Sequence, residues 1–451
     1  METSRRTFLR VLGAGLAAGA AAQLPMRAFA DPPAASDDFF LFVHVSGGWD
    51  VMLSLDPRTE RAGIIEPPST EWVDTAGVTG WTDATLEGDV STFRPVRPSG
   101  SNLTFGPAIG ELARHFSRLT VINGIAVNTV SHPDGTAFAA TGRHLAGGRM
   151  VASSIDTMMA DAQGREALFP VISVNFPSAF VGDLDRRVVP LKTGSVTTVA
   201  RSLDRNELYT YAADREAVTV MLSQEARALA SRSVHPEAMN GLALQYDALR
   251  QMLGENLRSA FDTAALQRAY TTFDYRGRFQ GARAVNLAFA VEAMKRDIVR
   301  CVSLSFGGVD THATNYRQHA QNQQEIFNLL ASLLEVLDAT PHPTLMGTRL
   351  SDRTHVLVVS EFCRTPQINL SGGRDHYPNG SALVISPRFR GNTVFGRSDA
   401  EQLLPVPTRD FVDGRRAIAP PDVLATFASA FGVDPRRYMR DGEVVRELLR
   451  G

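Results

Sequence analysis

The stretch that decides the fold is Phe39-Phe40-Leu41-Phe42-Val43-His44-Val45-Ser46-Gly47-Gly48-Trp49-Asp50. Phe39 to Val45 reads as one continuous apolar strand, the pattern of a strand covered on both faces and hence of a sheet sandwiched by helices. It runs into a glycine pair and then an acid, which puts a carboxylate on the loop just past the strand's end. The same order recurs at Leu304-Ser305-Phe306-Gly307-Gly308-Val309-Asp310, with His312 two residues on. A third apolar run, His355-Val356-Leu357-Val358-Val359, ends in Ser360-Glu361, and Asp375-His376 follow. Parallel α/β sheets bind ligands at the carboxyl ends of their strands. The repeats therefore predict carboxylates and imidazoles converging on one rim.

Outward from that core, Leu119 to Ile122, Val171 to Val174, Ile298 to Phe306 and Ser381 to Ser386 read as further strands. Ile326, Leu329, Leu330, Leu333, Leu334 and Leu337 recur at three- and four-residue intervals, predicting an amphipathic helix over 318–337. Strand, acid-bearing loop, helix and strand from 298 to 359 form a βαβ crossover, right-handed by the usual chirality. Shorter helices are predicted over 109–116, from Thr136, and over 421–431. Residues 57–104 are rich in Pro, Gly, Thr and Asp and read as a long excursion with a small hairpin. From about 204 to 296, Ala, Leu, Glu, Arg and Gln at helical spacing replace strand signals, marking a mainly helical insertion or outer layer. The expected fold class is α/β, a doubly wound and mostly parallel sheet sandwiched by helices. The roughly 420 residues after position 30 exceed what one simple core usually holds, so one large α/β domain with an insertion, or two domains, is expected, and the motifs favour the single domain over 31–451.

The first thirty residues read as an address. Ser4-Arg5-Arg6-Thr7-Phe8-Leu9-Arg10 is a twin-arginine pattern, Val11 to Leu24 is apolar, and Ala28-Phe29-Ala30 supplies a small-residue cleavage signal. The apolar stretch is too short and too rich in Gly and Ala for a stable membrane span. The expectation is a periplasmic or secreted protein whose partner during export is the twin-arginine translocase. A net charge of −2 gives no footing for a nucleic-acid surface. Two cysteines, Cys301 and Cys363, make neither a disulfide scaffold nor a CxxC zinc pattern.

Asp50, Asp310, His312, Glu361, Asp375 and His376 are the candidate ligands of a divalent cation. Zn²⁺ takes imidazole and carboxylate, while Mn²⁺, Mg²⁺ and Ca²⁺ favour oxygen and higher coordination. Carboxylates gathered at one rim repel one another. A bound cation is the simplest compensation, and an arginine clamp from Arg364 and Arg374 is the alternative. Each candidate also has a plainer reading. Asp50 fits a turn cap after the glycine pair, Glu361 a partner of Arg364, His376 a core histidine, and Asp310-Thr311-His312 an Asp turn. Ser131-His132-Pro133-Asp134-Gly135-Thr136 lies between a strand and a helix, where a nucleophile or an anion-binding turn would sit. Ser131 and His132 are the candidate catalytic residues there. The chain has no GxSxG elbow, no GxGxxG after its first strand and no GxxxxGK[ST], which disfavours a serine-hydrolase triad and nucleotide cradles.

Gly47-Gly48-Trp49-Asp50, Gly307-Gly308-Val309-Asp310-Thr311-His312, Ser360-Glu361-Phe362-Cys363-Arg364-Thr365-Pro366, Gly373-Arg374-Asp375-His376-Tyr377-Pro378 and the tail Pro420-Pro421-Asp422-Val423 together resemble the bacterial family called domain of unknown function 1501. That family resembles the alkaline phosphatase and sulfatase superfamily, whose α/β sandwich holds one or two metals at the carboxyl ends of its strands. The resemblance implies that Asp50 takes the place of the first-strand metal carboxylate. It makes Asp310 and His312 an Asp–His pair, Glu361 the strand-end acid and His376 the late histidine, while Thr141-Gly142 looks like the end of the nucleophile helix. The chain departs from the pattern in three ways. Asp310 and His312 are two residues apart where four is usual, Phe362 rather than His follows the strand-end acid, and His132 occupies the place of the nucleophile. The function implied is an exported metal-dependent hydrolase of phosphate or sulfate esters acting on a small anionic ester. The alternative is a non-catalytic periplasmic binding or assembly protein that keeps the fold; a third option is an export partner of an oxidoreductase.

Overall fold

A computed structural model describes residues 36–57, 95–164, 167–202, 212–232, 260–274, 281–313, 315–409, 411–439 and 441–450. The export signal read in residues 1–30, most of the 57–104 excursion and parts of the 204–296 segment lie outside these residues.

The strands are β1 (Phe39–Val45), β2 (Leu119–Ala126), β3 (Phe169–Val174), β4 (Leu191–Thr193), β5 (Val299–Phe306), β6 (Thr354–Val359), β7 (Cys363–Arg364), β8 (His376–Tyr377), β9 (Asn379–Ile385) and β10 (Thr393–Phe395). Eight of them form one sheet in the order β10-β2-β9-β6-β1-β5-β3-β4, and β7 and β8 make a separate two-stranded ribbon. β9 is antiparallel to both its neighbours, and every other pairing in the large sheet is parallel. The fold is α/β with a mixed, mostly parallel sheet.

The lack of polar alternation in β1 has a direct cause. Phe39, Leu41, Val43 and Val45 enter a core shared with the helices Ala282–Lys295 and Ala320–Ala339. Phe40 and Phe42 enter a second core, on the other face, with the helices Ile155–Gln163 and Pro420–Ser429. Each such side chain taken from water contributes about 2 kcal/mol, so both faces must be apolar. Cys301 and Cys363 are both buried free thiols, and they belong to opposite cores.

Register then delivers the rim. Val45 pairs with Phe306 and His44 with Val359, so β1, β5 and β6 end level and adjacent. Gly47 has φ +122°, and a Cβ there would sit 2.4 Å from the Asp310 backbone nitrogen. Only glycine allows the first and second acid loops to touch in this way. Gly48, at φ +78°, lies under the Phe362 ring.

Several elements differ in extent from the sequence reading. β2 runs on to Ala126 through an irregularity between Ile122 and Ile125, where Gly124 takes φ +65°. The helix after Ser131 starts at His132, not Thr136, because Pro133 occupies the first turn, where no backbone N–H is needed. The last strand of the reading, now β9, is antiparallel. The helix Ala282–Lys295 is buried along most of its length and forms part of the layer on β5. Val96 and Phe105 form an antiparallel bridge at the end of the 57–104 excursion.

Candidate metal centre

Three loops deliver the site. Asp310 follows β5, Glu361 follows β6, and the β7–β8 ribbon carries His376. The helix His132–Thr141 brings its first residue to the same place, and Gly135 lets it approach closely, since a Cβ there would sit 2.7 Å from the Glu361 carbonyl.

The Asp310 carboxylate stands at the centre and is 49% exposed. His132 Nε2 lies 3.3 Å from its Oδ2. His312 Nε2 and His376 Nε2 lie 3.2 and 3.4 Å from its Oδ1, and 3.1 Å from each other. His132, Asp310 and His376 each offer a ligand atom within 4.8 Å of the others.

The other ring nitrogens explain this convergence. His376 Nδ1 is 2.9 Å from the Val130 carbonyl, which only accepts, so Nδ1 carries the hydrogen. Burial lowers the pKa of His376, favouring the neutral ring with a lone pair on Nε2. His312 Nδ1 donates to Asp375 Oδ1 at 2.8 Å, a bond that holds the Asp375 carboxyl below its ordinary pKa. His132 Nδ1 donates to Glu361 Oε1 at 2.8 Å, and its Nε2 is buried without a hydrogen-bond partner. Three imidazoles thus commit Nδ1 to a carbonyl or carboxylate and aim Nε2 at one carboxylate. Metal-ligating histidines are oriented in this manner. The contacts of 3.1 to 3.4 Å are close to the edge of about 3.3 Å expected for ligands some 2.0–2.1 Å from a tetrahedral ion. The donor set fits a divalent cation of the zinc type better than Ca²⁺ or Mg²⁺, which prefer all-oxygen shells.

Glu361 is the hub behind the site. It accepts from the Gly47 backbone N–H at 2.7 Å and lies 3.2 Å from His44 Nε2, besides its bond to His132. Burial would raise its pKa, but His44 and His132 outweigh that and hold the carboxyl far below the carboxylate range. The hydrogen bond to Glu361 in turn raises the pKa of His132 against the opposing effect of burial. A more basic ring is also a better ligand. Burial acts to raise Asp310 as well, yet the Arg364 bond at 2.6 Å and the nearby imidazoles bring it to about 2. Arg364 is fully buried and also donates to the carbonyls of Gly47, Gly48, Val309 and Arg374. Phe362 packs against His132 and His376, with ring centroids 4.9 and 4.6 Å away.

The family model described as "Protein of unknown function (DUF1501)" matches residues 39–445. The chain belongs to the DUF1501 family. In this DUF1501 protein the match begins at the first residue of β1 and includes every residue of the site. No curated protein matches the chain. Among solved structures, the chain is similar to the crystal structure of Ps i-CgsB in complex with k-i-k-neocarrahexaose. That likeness has TM-score 0.36 and 11% identity and covers 88% of this chain and 72% of that one. A second crystal structure of Ps i-CgsB gives TM-score 0.34 and 10% identity over the same shares.

Of the residues singled out in the DUF1501 chain, Asp310, His312, His376 and His132 come together. Glu361 and Asp375 stand behind them, each bonded to an imidazole. Asp50 goes elsewhere. It is fully buried, caps the turn through the N–H groups of Met52 and Leu53, and pairs with Arg374 at 3.1 Å. Ser131 is exposed at the helix start with no side-chain capping bond. His44 was missed. Its signal was available, as the one polar side chain in an otherwise apolar strand.

Proposed function

We propose that this DUF1501 protein is a metal-dependent hydrolase of small phosphate or sulfate esters, built on the alkaline phosphatase and sulfatase plan. The observation that carries the reading is the convergence of three imidazole nitrogens, His132, His312 and His376 Nε2, on the open Asp310 carboxylate. These four residues would hold the ion. A bound divalent ion supplies Lewis acidity to an ester oxygen and makes water a better nucleophile at neutral pH. The chain's own residues do the rest. Glu361, Asp375 and the Val130 carbonyl keep each imidazole in the ligand tautomer, and Arg364 keeps Asp310 ionised. Phe362 excludes water from one side of the rings. In this reading water attacks phosphorus or sulfur, the ester bond breaks, and the alcohol leaves with a proton. This reading gives the attack to water rather than to the Ser131 hydroxyl, to which no base is bonded among the described residues. Export through the twin-arginine translocase to the periplasm or medium, with Arg5-Arg6 as the signal, belongs to the same proposal.

A non-catalytic binding role is the second reading, favoured by the lack, among the described residues, of a base bonded to Ser131. Elemental analysis of the purified protein, followed by assay on p-nitrophenyl phosphate and sulfate with Zn²⁺, Mn²⁺, Mg²⁺ or Ca²⁺, separates the two. One ion per chain and a turnover abolished by Asp310→Ala support the hydrolase. An ion with no turnover on either ester supports the binding role, and no stoichiometric ion overturns both.

A further inference from the structure

Two fully buried arginines lie in or beside the β7–β8 ribbon, Arg364 and Arg374. Arg364 reaches Asp310 directly. Arg374 directly precedes Asp375 and His376. Its Nε is 3.1 Å from Asp50 Oδ2, with both side chains about 1% exposed. Its Nη1 donates to the carbonyls of Thr365 and Pro366, closing the ribbon's loop from inside. Its own carbonyl accepts from Arg364 Nη1 at 3.1 Å. Asp50 is held in turn by Asn315 Nδ2 at 2.8 Å, and the Asn315 backbone N–H donates to the Gly372 carbonyl at 2.8 Å. The chain of contacts therefore runs from the β1 turn through Asp50 and Arg374 to the ribbon and Arg364, and so to Asp310.

We infer that Arg374, anchored by Asp50, is a positioning residue for the metal site. The guanidinium supplies the compensating charge for the Asp50 carboxylate, so Asp50 works as the anchor of the His376 ribbon rather than as a ligand. This inference rests on the metal reading above and deepens it. A buried ion pair is expensive to assemble and is weak evidence of stabilisation by itself. Here it ties two segments, Trp49–Leu53 and Thr365–His376, whose relative position sets where His376 Nε2 points. Loss of such outer support commonly lowers metal affinity 10- to 100-fold.

The test titrates the metal-free full-length protein with Co²⁺ alone and follows its visible absorption, which reports ligand geometry. Asp50→Asn and Arg374→Lys are each expected to weaken Co²⁺ binding about 10- to 100-fold, and to change the band shape alike. Arg374→Lys keeps the buried carboxylate paired, so it remains measurable where Asp50→Asn does not fold. Asp422→Asn is the control. It breaks the pair between the partly exposed Arg416 and the buried Asp422 of the helix Pro420–Ser429, and is expected to lower the melting temperature while leaving Co²⁺ binding unchanged. Unchanged Co²⁺ binding in Arg374→Lys overturns the inference. So does loss of all Co²⁺ binding in Asp50→Asn alone, which would make Asp50 a ligand. A wild-type protein that takes up no Co²⁺ overturns the metal reading and this inference with it.

Discussion

The two ends of the sheet carry nearly the same side chains and use them in opposite ways. At the amino end of β1 and β6, Asp38, His355, Arg353 and Ser386 form a closed set. His355 Nδ1 is 2.8 Å from Ser386 Oγ, its Nε2 is 3.4 Å from Asp38 Oδ1, and Arg353 reaches the same Oδ1 at 3.3 Å. His355 is 1% exposed and Asp38 5%. At the carboxyl end, each of three imidazoles has one nitrogen committed and the other left towards Asp310, itself about half exposed. His355 and Asp38 are sealed from solvent, whereas His312, Asp310 and Asp375 at the carboxyl end are each about half exposed. Residue type does not separate the two ends; exposure of the shared carboxylate does.

The comparison breaks or holds on the carboxyl end first. Asp310→Ala is expected to reduce metal content from about one ion per chain to less than a tenth, because it removes the shared ligand. Thermal unfolding should also shift to lower temperature, since the fully buried Arg364 loses its carboxylate partner. Metal retained by this variant, measured by elemental analysis, would erase the distinction between the ends.

Glu361→Gln is expected to lower metal affinity about 10- to 100-fold through the orientation of His132. It should also destabilise the fold, because His44, His132 and the Gly47 N–H all face that buried carboxylate. A purely structural residue would show the second effect without the first.

At the amino end, Asp38→Asn is expected to cost about 2 kcal/mol in denaturant unfolding, as a buried charged acceptor loses its partners. Metal content should stay the same.

The smallest effect is the shape of the pH–stability curve. Burial acts to raise Asp38, but its bonds to His355, Ser36 and Arg353 outweigh that and hold its pKa at about 2, below the ordinary 3.8. A depressed carboxyl adds stability above its unfolded pKa and loses it as pH falls from near 4 towards 2. Burial lowers His355 below its ordinary 6.5. The unfolded chain therefore takes up that proton first, and stability begins to fall as pH drops through 6.5. Both terms have the same sign. In Asp38→Asn the steep part of the loss below pH 4 should flatten, a change that urea titrations across that range would detect.

The sequence made some of this legible. The apolar run Phe39–Val45 and the helix spacing of Ile326 to Leu337 are local signals, because burial on two faces or on one stripe leaves a periodic imprint. The glycine–acid repeats were legible too, since a strand that ends in a tight turn must spend glycines there, as Gly47 and Gly48 do. The start at His132 was missed because Pro133 reads as a breaker until it is placed in a helix's first turn. The direction of β9 was not legible either, because an apolar run packs equally well in both directions.

Asp50 and Asp310 follow the same motif and part company only in space. From the chain alone, one could derive two-faced strands and a row of acids at their ends, since strand period and glycine turns depend on neighbours in sequence. Both acids meet a buried arginine, and which of them also meets three imidazoles was decided by the tertiary structure. Those partners come from loops and helices far apart in the chain, and only the shared register of β1, β5 and β6 brings them within 3–4 Å.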